Sequence, residues 1–312
     1  MTITYLNPVY DQYMADPFVL RDGDHYFAYG TTHPVPSGKQ FRVLESNDLI
    51  HWKLRDNALI PSGGDEYWAP EVAYHDGRYY MYYSVGGLNG LNHQLRVATS
   101  ATPSGPFQDT GRALTPNELF AIDAHPFRDA SGNWYLFYSR DFLTLDGDYR
   151  VGTGIVVDRL LDMTTLAGEP HLVVRPFADW QLFEAQRPMY EGIYDWYTVE
   201  GASMRVHEGR YYCFYSGGAW TNENYGVSYA VADHPLGPYQ CPADGARVLS
   251  SIPGQVIGPG HNSFIEIPDG QEYIVYHGWD PAMTARLMRI DRLIWDGARP
   301  VALGPTTTSQ TL

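Results

Sequence analysis

Four places along this chain hold side chains able to move protons, each just ahead of a short apolar run. Asp16 stands in YMADPF, Asp123 in AIDAHPF, Glu200 in YTVEGAS and His261 in GPGHNSF, with Pro70 of YWAPEV at a fifth matching place. A lone Asp at such a position is ordinarily a turn residue or cap. Three acids at equivalent places exceed that account, because gathering like charges in a desolvated space is costly and raises at least one pKa. Two carboxylates held apart with a water between them are what inverting glycoside hydrolysis requires. One, protonated, gives its proton to the leaving oxygen, and the other, ionised, activates water on the opposite face of the sugar. A third carboxylate keeps the acid protonated by repulsion and orients it. From a different class, a non-catalytic sugar-binding propeller would be favoured had one acid become Asn, Gln or Ala, and all three are intact.

The elements that must position these groups recur five times: VLRDGDHYFAYG, AYHDGRYYMYYS, FRDASGNWYLFYS, RVHEGRYYCFYS and EIPDGQEYIVYH, with last aromatics at Tyr29, Tyr83, Tyr138, Tyr215 and Tyr276. Each reads as a hairpin, since Asp-Gly and similar pairs supply the positive φ that tight turns need. Repetition at roughly 55 to 75 residues marks a propeller or array. The chain is therefore expected to be all-β, a five-bladed β-propeller, and one catalytic domain over residues 1–312, because no Pro-, Gly- or Ser-rich linker interrupts it. Stepping back about 13 to 15 residues from each last aromatic selects Asp16, Pro70, Asp123, Glu200 and His261 as the starts of the strands that line the propeller axis. The least regular stretch, 158–199, has room for a helical turn in FADWQLFEAQRP. Its Trp180, Tyr190, Tyr194, Trp196 and Tyr197 either line a substrate groove or pack the loop onto the propeller.

Charge narrows the partners. A net of −15 disfavours nucleic acid and anionic membranes, and a neutral oligosaccharide fits better. Aromatic residues, 14% of the chain, suit strands and also surfaces that stack on sugar rings. Cys213 and Cys241 are too few for a disulfide scaffold and are expected to be free. The N-terminal residues have no basic and apolar leader pattern, and no stretch is apolar for long enough to span a bilayer, so a cytoplasmic setting is expected. No HExxH, paired CxxC or Gly-rich phosphate loop occurs, and no cofactor is indicated for the chemistry.

From NPVYDQYMADPFVLRDGDHYFAYGT through YWAPEV, AIDAHPF, TVEGAS and GHNSF to RLMRIDRLIWDGARPV, the chain resembles the family 43 glycoside hydrolases, which are five-bladed β-propellers. The resemblance implies an inverting enzyme with Asp16 as general base, Asp123 as modulator of pKa and Glu200 as general acid. It also implies a substrate-binding wall at Trp68, which reads otherwise as a core residue, and an arginine reaching sugar hydroxyls at Arg286, which otherwise pairs with an acid. Trp220, in GGAWTNENYG just after the fourth aromatic strand, is a candidate for the leaving-group side because its loop should lie there. For His261 it implies a calcium or sodium ion held through waters, while the residue itself reads equally as a neutral histidine beneath the general base. Ala15, Ala124 and Ala202 replace prolines frequent in the family, which bears on substrate more than on chemistry. The expected activity is an exo-acting α-L-arabinofuranosidase, with β-D-xylosidase and endo-arabinanase as alternatives. Fructan hydrolases and mannoside phosphorylases, also five-bladed, fit less well: Glu200 is followed by Gly201 rather than Cys, and no basic cluster awaits a phosphate. Many relatives append a β-sandwich that completes the site. The fifth repeat ends this chain without one, so the missing wall is expected from its own loops or from a second subunit of a homo-oligomer.

Overall fold

A computed structural model describes residues 3–33, 38–61, 63–87, 93–242 and 247–312. The five aromatic runs are the second strands of five antiparallel blades: His25–Thr31, Arg78–Gly86, Trp134–Phe142, Arg210–Gly217 and Glu272–Trp279. Each follows an inner strand, in order Ala15–Asp22, Glu66–His75, Ala121–Arg128, Gly192–His207 and Ile257–Glu266. The turns are those the sequence encodes. Asp76 and Gly77, like Glu208 and Gly209, are both left-handed, the pairing that suits the twist of a two-residue hairpin.

Each inner strand packs against the inner strands of its two neighbours, the fifth against the first, so the blades close into a ring around one axis. The ring is a five-bladed β-propeller. Third strands lie outside the second, at Gln40–Ser46, Gln94–Ser100, Gly152–Asp162, Gly226–Ala232 and Arg286–Asp296. The N-terminal segment fastens the closure. Val9 and Met14 donate backbone N–H groups to Met288 and Arg286, Asn7 Nδ2 donates to the Ile290 carbonyl, and Thr4–Tyr5 pairs with Gln310–Thr311.

Five apolar clusters fill the five gaps between adjacent blades. Tyr29, Tyr83, Tyr138, Tyr215 and Tyr276 are buried there, and the Tyr276 hydroxyl donates to Asp291 Oδ2 at 2.6 Å. Buried tyrosines of this kind need such a partner for the polar tip. The recurring aromatic strands are scaffold. Both cysteines are free, and Cys213 sits in the cluster between the third and fourth blades.

The stretch that reads as irregular in sequence is ordered. After a single 3₁₀ turn at Asp179–Gln181, Leu182–Met189 pairs with the start of the fourth inner strand as a hairpin. Its aromatics pack it in place. Trp196 is buried, Tyr190 donates to Asp141 Oδ2 at 2.6 Å, the Arg150 guanidinium lies over Tyr197, and that of Arg247 lies over Trp180. None of the five lines the axial pocket.

Candidate active site

Every inner strand enters the ring through the same break in register against its second strand. One residue at each break is left-handed: Asp16 (φ 51°), Ala69 (46°), Asp123 (60°), Gly201 (63°) and His261 (47°). This conformation is costly for residues other than glycine, so the surrounding structure must hold it. What holds it is a clamp between blades. The bent residue's N–H donates sideways to a side chain on the second strand of the preceding blade. Asp16 donates to His277 Nδ1 (3.0 Å), Ala69 to Thr31 Oγ1 (2.8 Å), Asp123 to Ser84 Oγ (3.0 Å) and His261 to Ser216 Oγ (2.7 Å).

The fourth blade departs from this pattern. Gly201 N–H donates instead to Asp123 Oδ2 at 3.1 Å, and Ser139 Oγ, at the matching place on the third blade, has no partner among the described residues. The register also corrects the equal-step alignment of the sequence. Ala69, not Pro70, is the second-blade counterpart of Asp16 and Asp123, and Gly201 holds the bent place in the fourth. Glu200 stands one residue earlier, in the rank of Trp68 and Ile122, opposite Ser216. A fixed step cannot sense the difference, whereas the glycine after Glu200 is a visible sign of where the bend falls.

A pocket of about 360 Å³ opens at this end of the axis, and Asp16, Asp123, Glu200, His261, Trp68, Trp220 and Arg286 all line it. The seven residues selected from the sequence therefore converge. Asp16 is the most heavily partnered: Thr31 Oγ1 donates to Oδ2 at 2.6 Å, and Oδ1 lies 3.3 Å from His261 Nδ1, 3.3 Å from His277 Nδ1 and 3.5 Å from Arg286 Nη1. Burial alone would raise its pKa, but the charges of His261 and Arg286 hold the carboxyl well below the usual range. Burial keeps His277 neutral, its pKa lowered to about 4. Arg286 is held in turn by Tyr13, whose Oη accepts from Nη2 at 2.7 Å, and its guanidinium lies 4.5 Å from the Trp220 ring centroid. Trp220 stacks on Trp279, and Trp68 stacks on His93.

The other two carboxyls go the opposite way. Burial and then the charge of Asp123 push Glu200 up to about 8. Burial, opposed by His261, raises Asp123 to about 6. One carboxylate is thus pinned as an anion while another keeps its proton at neutral pH, the separation of roles that acid–base catalysis on a sugar bond needs. Tyr225 Oη donates to Glu200 Oε1 at 2.8 Å.

His261 is surrounded by acids. Burial would lower its pKa, but Asp16, Asp123 and Glu200 outweigh that and hold it above the ordinary value. His261 Nδ1 faces the Asp16 carboxylate at 3.3 Å, and among the described residues no three His, Cys, Asp or Glu side chains converge as direct ligands. An ion held through waters, as the resemblance implies, asks for no such set of direct ligands. Sequence reasoning also missed His277, Thr31, Ser84 and Tyr225. The first three share one place at the end of the aromatic strands, the residue after FAYG, MYY or IVY, so the signal was in the repeat itself. Tyr225 lies outside the five aromatic runs, at the head of the fourth repeat's YGVSYAVA.

Curated relatives agree with the geometry. A β-D-galactofuranosidase of Aspergillus niger is 31% identical over 94% of this chain and 82% of its own length. An extracellular exo-α-(1→5)-L-arabinofuranosidase of Streptomyces avermitilis is 25% identical over 98% of this chain and 65% of its own length. That relative is extracellular, which overturns the cytoplasmic setting expected from the N-terminal residues. The crystal structure of a thermostable family-43 glycoside hydrolase superposes with a TM-score of 0.86 at 33% identity, over 98% of both chains. The model of glycosyl hydrolases family 43 matches residues 5–298. With its five blades and its acids gathered in one axial pocket, this chain belongs to glycosyl hydrolases family 43, the glycosidases that hydrolyse O-glycosyl bonds.

Proposed function

We propose that the chain is an inverting, exo-acting α-L-arabinofuranosidase. Asp16 is the general base, Glu200 the general acid, and Asp123 holds the acid protonated. The observation that carries this is an Asp16 carboxylate paired with His261 and Arg286 in the same small pocket as the buried acids Glu200 and Asp123, where the environment favours the charged form of the first and the protonated form of Glu200. Glu200 gives its proton to the glycosidic oxygen as that oxygen leaves with the bond's electron pair. Asp16 takes a proton from the water whose oxygen bonds to the anomeric carbon. The Asp123 anion beside Glu200 resists early loss of the acid's proton. Trp68 and Trp220 offer aromatic faces to the C–H faces of the sugar and its leaving group, and Arg286 faces both Asp16 and the sugar hydroxyls. A pocket of this volume favours one terminal sugar over a polymer lying across it.

The relatives' names, an arabinofuranosidase and a galactofuranosidase, share a furanose substrate. β-D-galactofuranose is the second reading, because it repeats the ring stereochemistry of α-L-arabinofuranose with one further carbon. The test is a panel of nitrophenyl α-L-arabinofuranoside, β-D-galactofuranoside and β-D-xylopyranoside. Arabinofuranoside should be cleaved fastest, and Asp16→Asn should slow it by at least about a hundredfold. Binding of these sugars with no cleavage of any would mean a sugar-binding propeller instead.

A further inference from the structure

Tyr225 belongs to none of the aromatic runs and was given no role by the sequence, yet the fold builds a slot for it. The side chain is fully buried, its ring lies parallel to His277 at 5.9 Å, and a Cβ on Gly260 would fall 2.2 Å from its Cε1. A glycine of the fifth blade thus makes space for a tyrosine of the fourth. Held this way, the hydroxyl reaches Glu200 Oε1 at 2.8 Å. The carbonyl oxygen of a protonated carboxyl is its better acceptor, so accepting from the phenol at Oε1 favours the acid's own proton on Oε2.

We propose that Tyr225 is a positioning residue for proton donation: it occupies Glu200 Oε1, confines the acid's proton to Oε2, and stabilises the carboxylate left behind. This rests on Glu200 being the general acid. As the Oε2–H bond breaks, the proton bonds to the glycosidic oxygen, which departs with the electron pair of the C–O bond, and Glu200 becomes an anion. A hydrogen bond to an anion is about twice as strong as one to a neutral acceptor. The contact with Tyr225 therefore tightens along the reaction coordinate, and that differential lowers the barrier.

Leaving-group dependence separates this role from a merely structural one. Tyr225→Phe removes the hydroxyl and keeps the ring in its slot. On a methyl glycoside, whose alkoxide must be protonated to leave, kcat should fall about tenfold to a hundredfold. On the 2,4-dinitrophenyl glycoside of the same sugar, which leaves unprotonated, it should fall less than about threefold. Gly260→Ala, which pushes the ring aside, should show the same split by an independent route. Glu200→Ala is measured alongside. If it shows no split, Glu200 is not the general acid and the assignment beneath the proposal fails. If it shows the split while Tyr225→Phe slows both substrates equally, or neither, the proposal itself is overturned.

Discussion

Replacing Asp123 by Asn should move the alkaline limb of kcat/KM to lower pH. Glu200 is lifted from an ordinary 4.5 to about 8, by burial first and by the Asp123 charge next. Asn keeps an oxygen to accept the Gly201 N–H, now 3.1 Å from Oδ2, so the change removes a charge and little else. A like charge beside a carboxyl is worth roughly one to three pK units, ~1.4–4 kcal/mol between its two protonation states. The limb should therefore fall from about 8 to somewhere between about 5 and 7. At pH 8 the wild type keeps about half of Glu200 protonated, and a variant with its limb at about 7 keeps about a tenth. The assay is kcat/KM from pH 5 to 9.5 on an arabinose disaccharide, whose sugar leaving group needs the proton. A limb that stays where it was, or moves up, would refute the assignment of Asp123 as the charge that keeps Glu200 protonated.

Glu200→Gln should stabilise the protein more at pH 8 than at pH 5. The folded carboxyl holds its proton up to about 8 while the unfolded one releases it near 4.5, so wild-type stability falls as pH rises across that window. Calorimetry should find the variant's advantage in Tm growing by a few degrees over the window, and a constant difference would contradict it. Ser84→Ala strands the buried Asp123 N–H and should cost ~1–3 kcal/mol in denaturant unfolding, while Ser139→Ala, which removes a hydroxyl with no partner among the described residues, should change stability by less than ~0.5 kcal/mol. Equal costs would remove the clamp from the account. Arg286→Lys keeps the charge but loses the flat guanidinium over Trp220 and should lower kcat/KM at least about tenfold, with wild-type values counting against the role given to that stack.

The five blades were legible because each hairpin announces itself twice, in a Gly-containing turn and in a run of buried aromatics. Asp16, Asp123 and His261 were legible because the bend at the head of the inner strand is a repeated structural position. Glu200 was found by a step one residue off in rank, since the fourth-blade bend falls on Gly201 and a count of residues does not register where a ladder breaks. The hairpin at 182–199 was hidden for a related reason: its register shifts twice, so neither strand shows a clean alternation. Tyr225 was beyond reach. Its contact with Glu200 depends on Gly260, more than thirty residues later, and nothing near it in sequence signals the slot.

The most direct test of the central claim, that Asp16 and Glu200 act from opposite sides on one sugar, is the configuration of the first product. Cleavage of an α-L-arabinofuranoside followed by NMR should show the β anomer forming first and mutarotating later. An α product formed first would mean retention, and would contradict Asp16 acting through water.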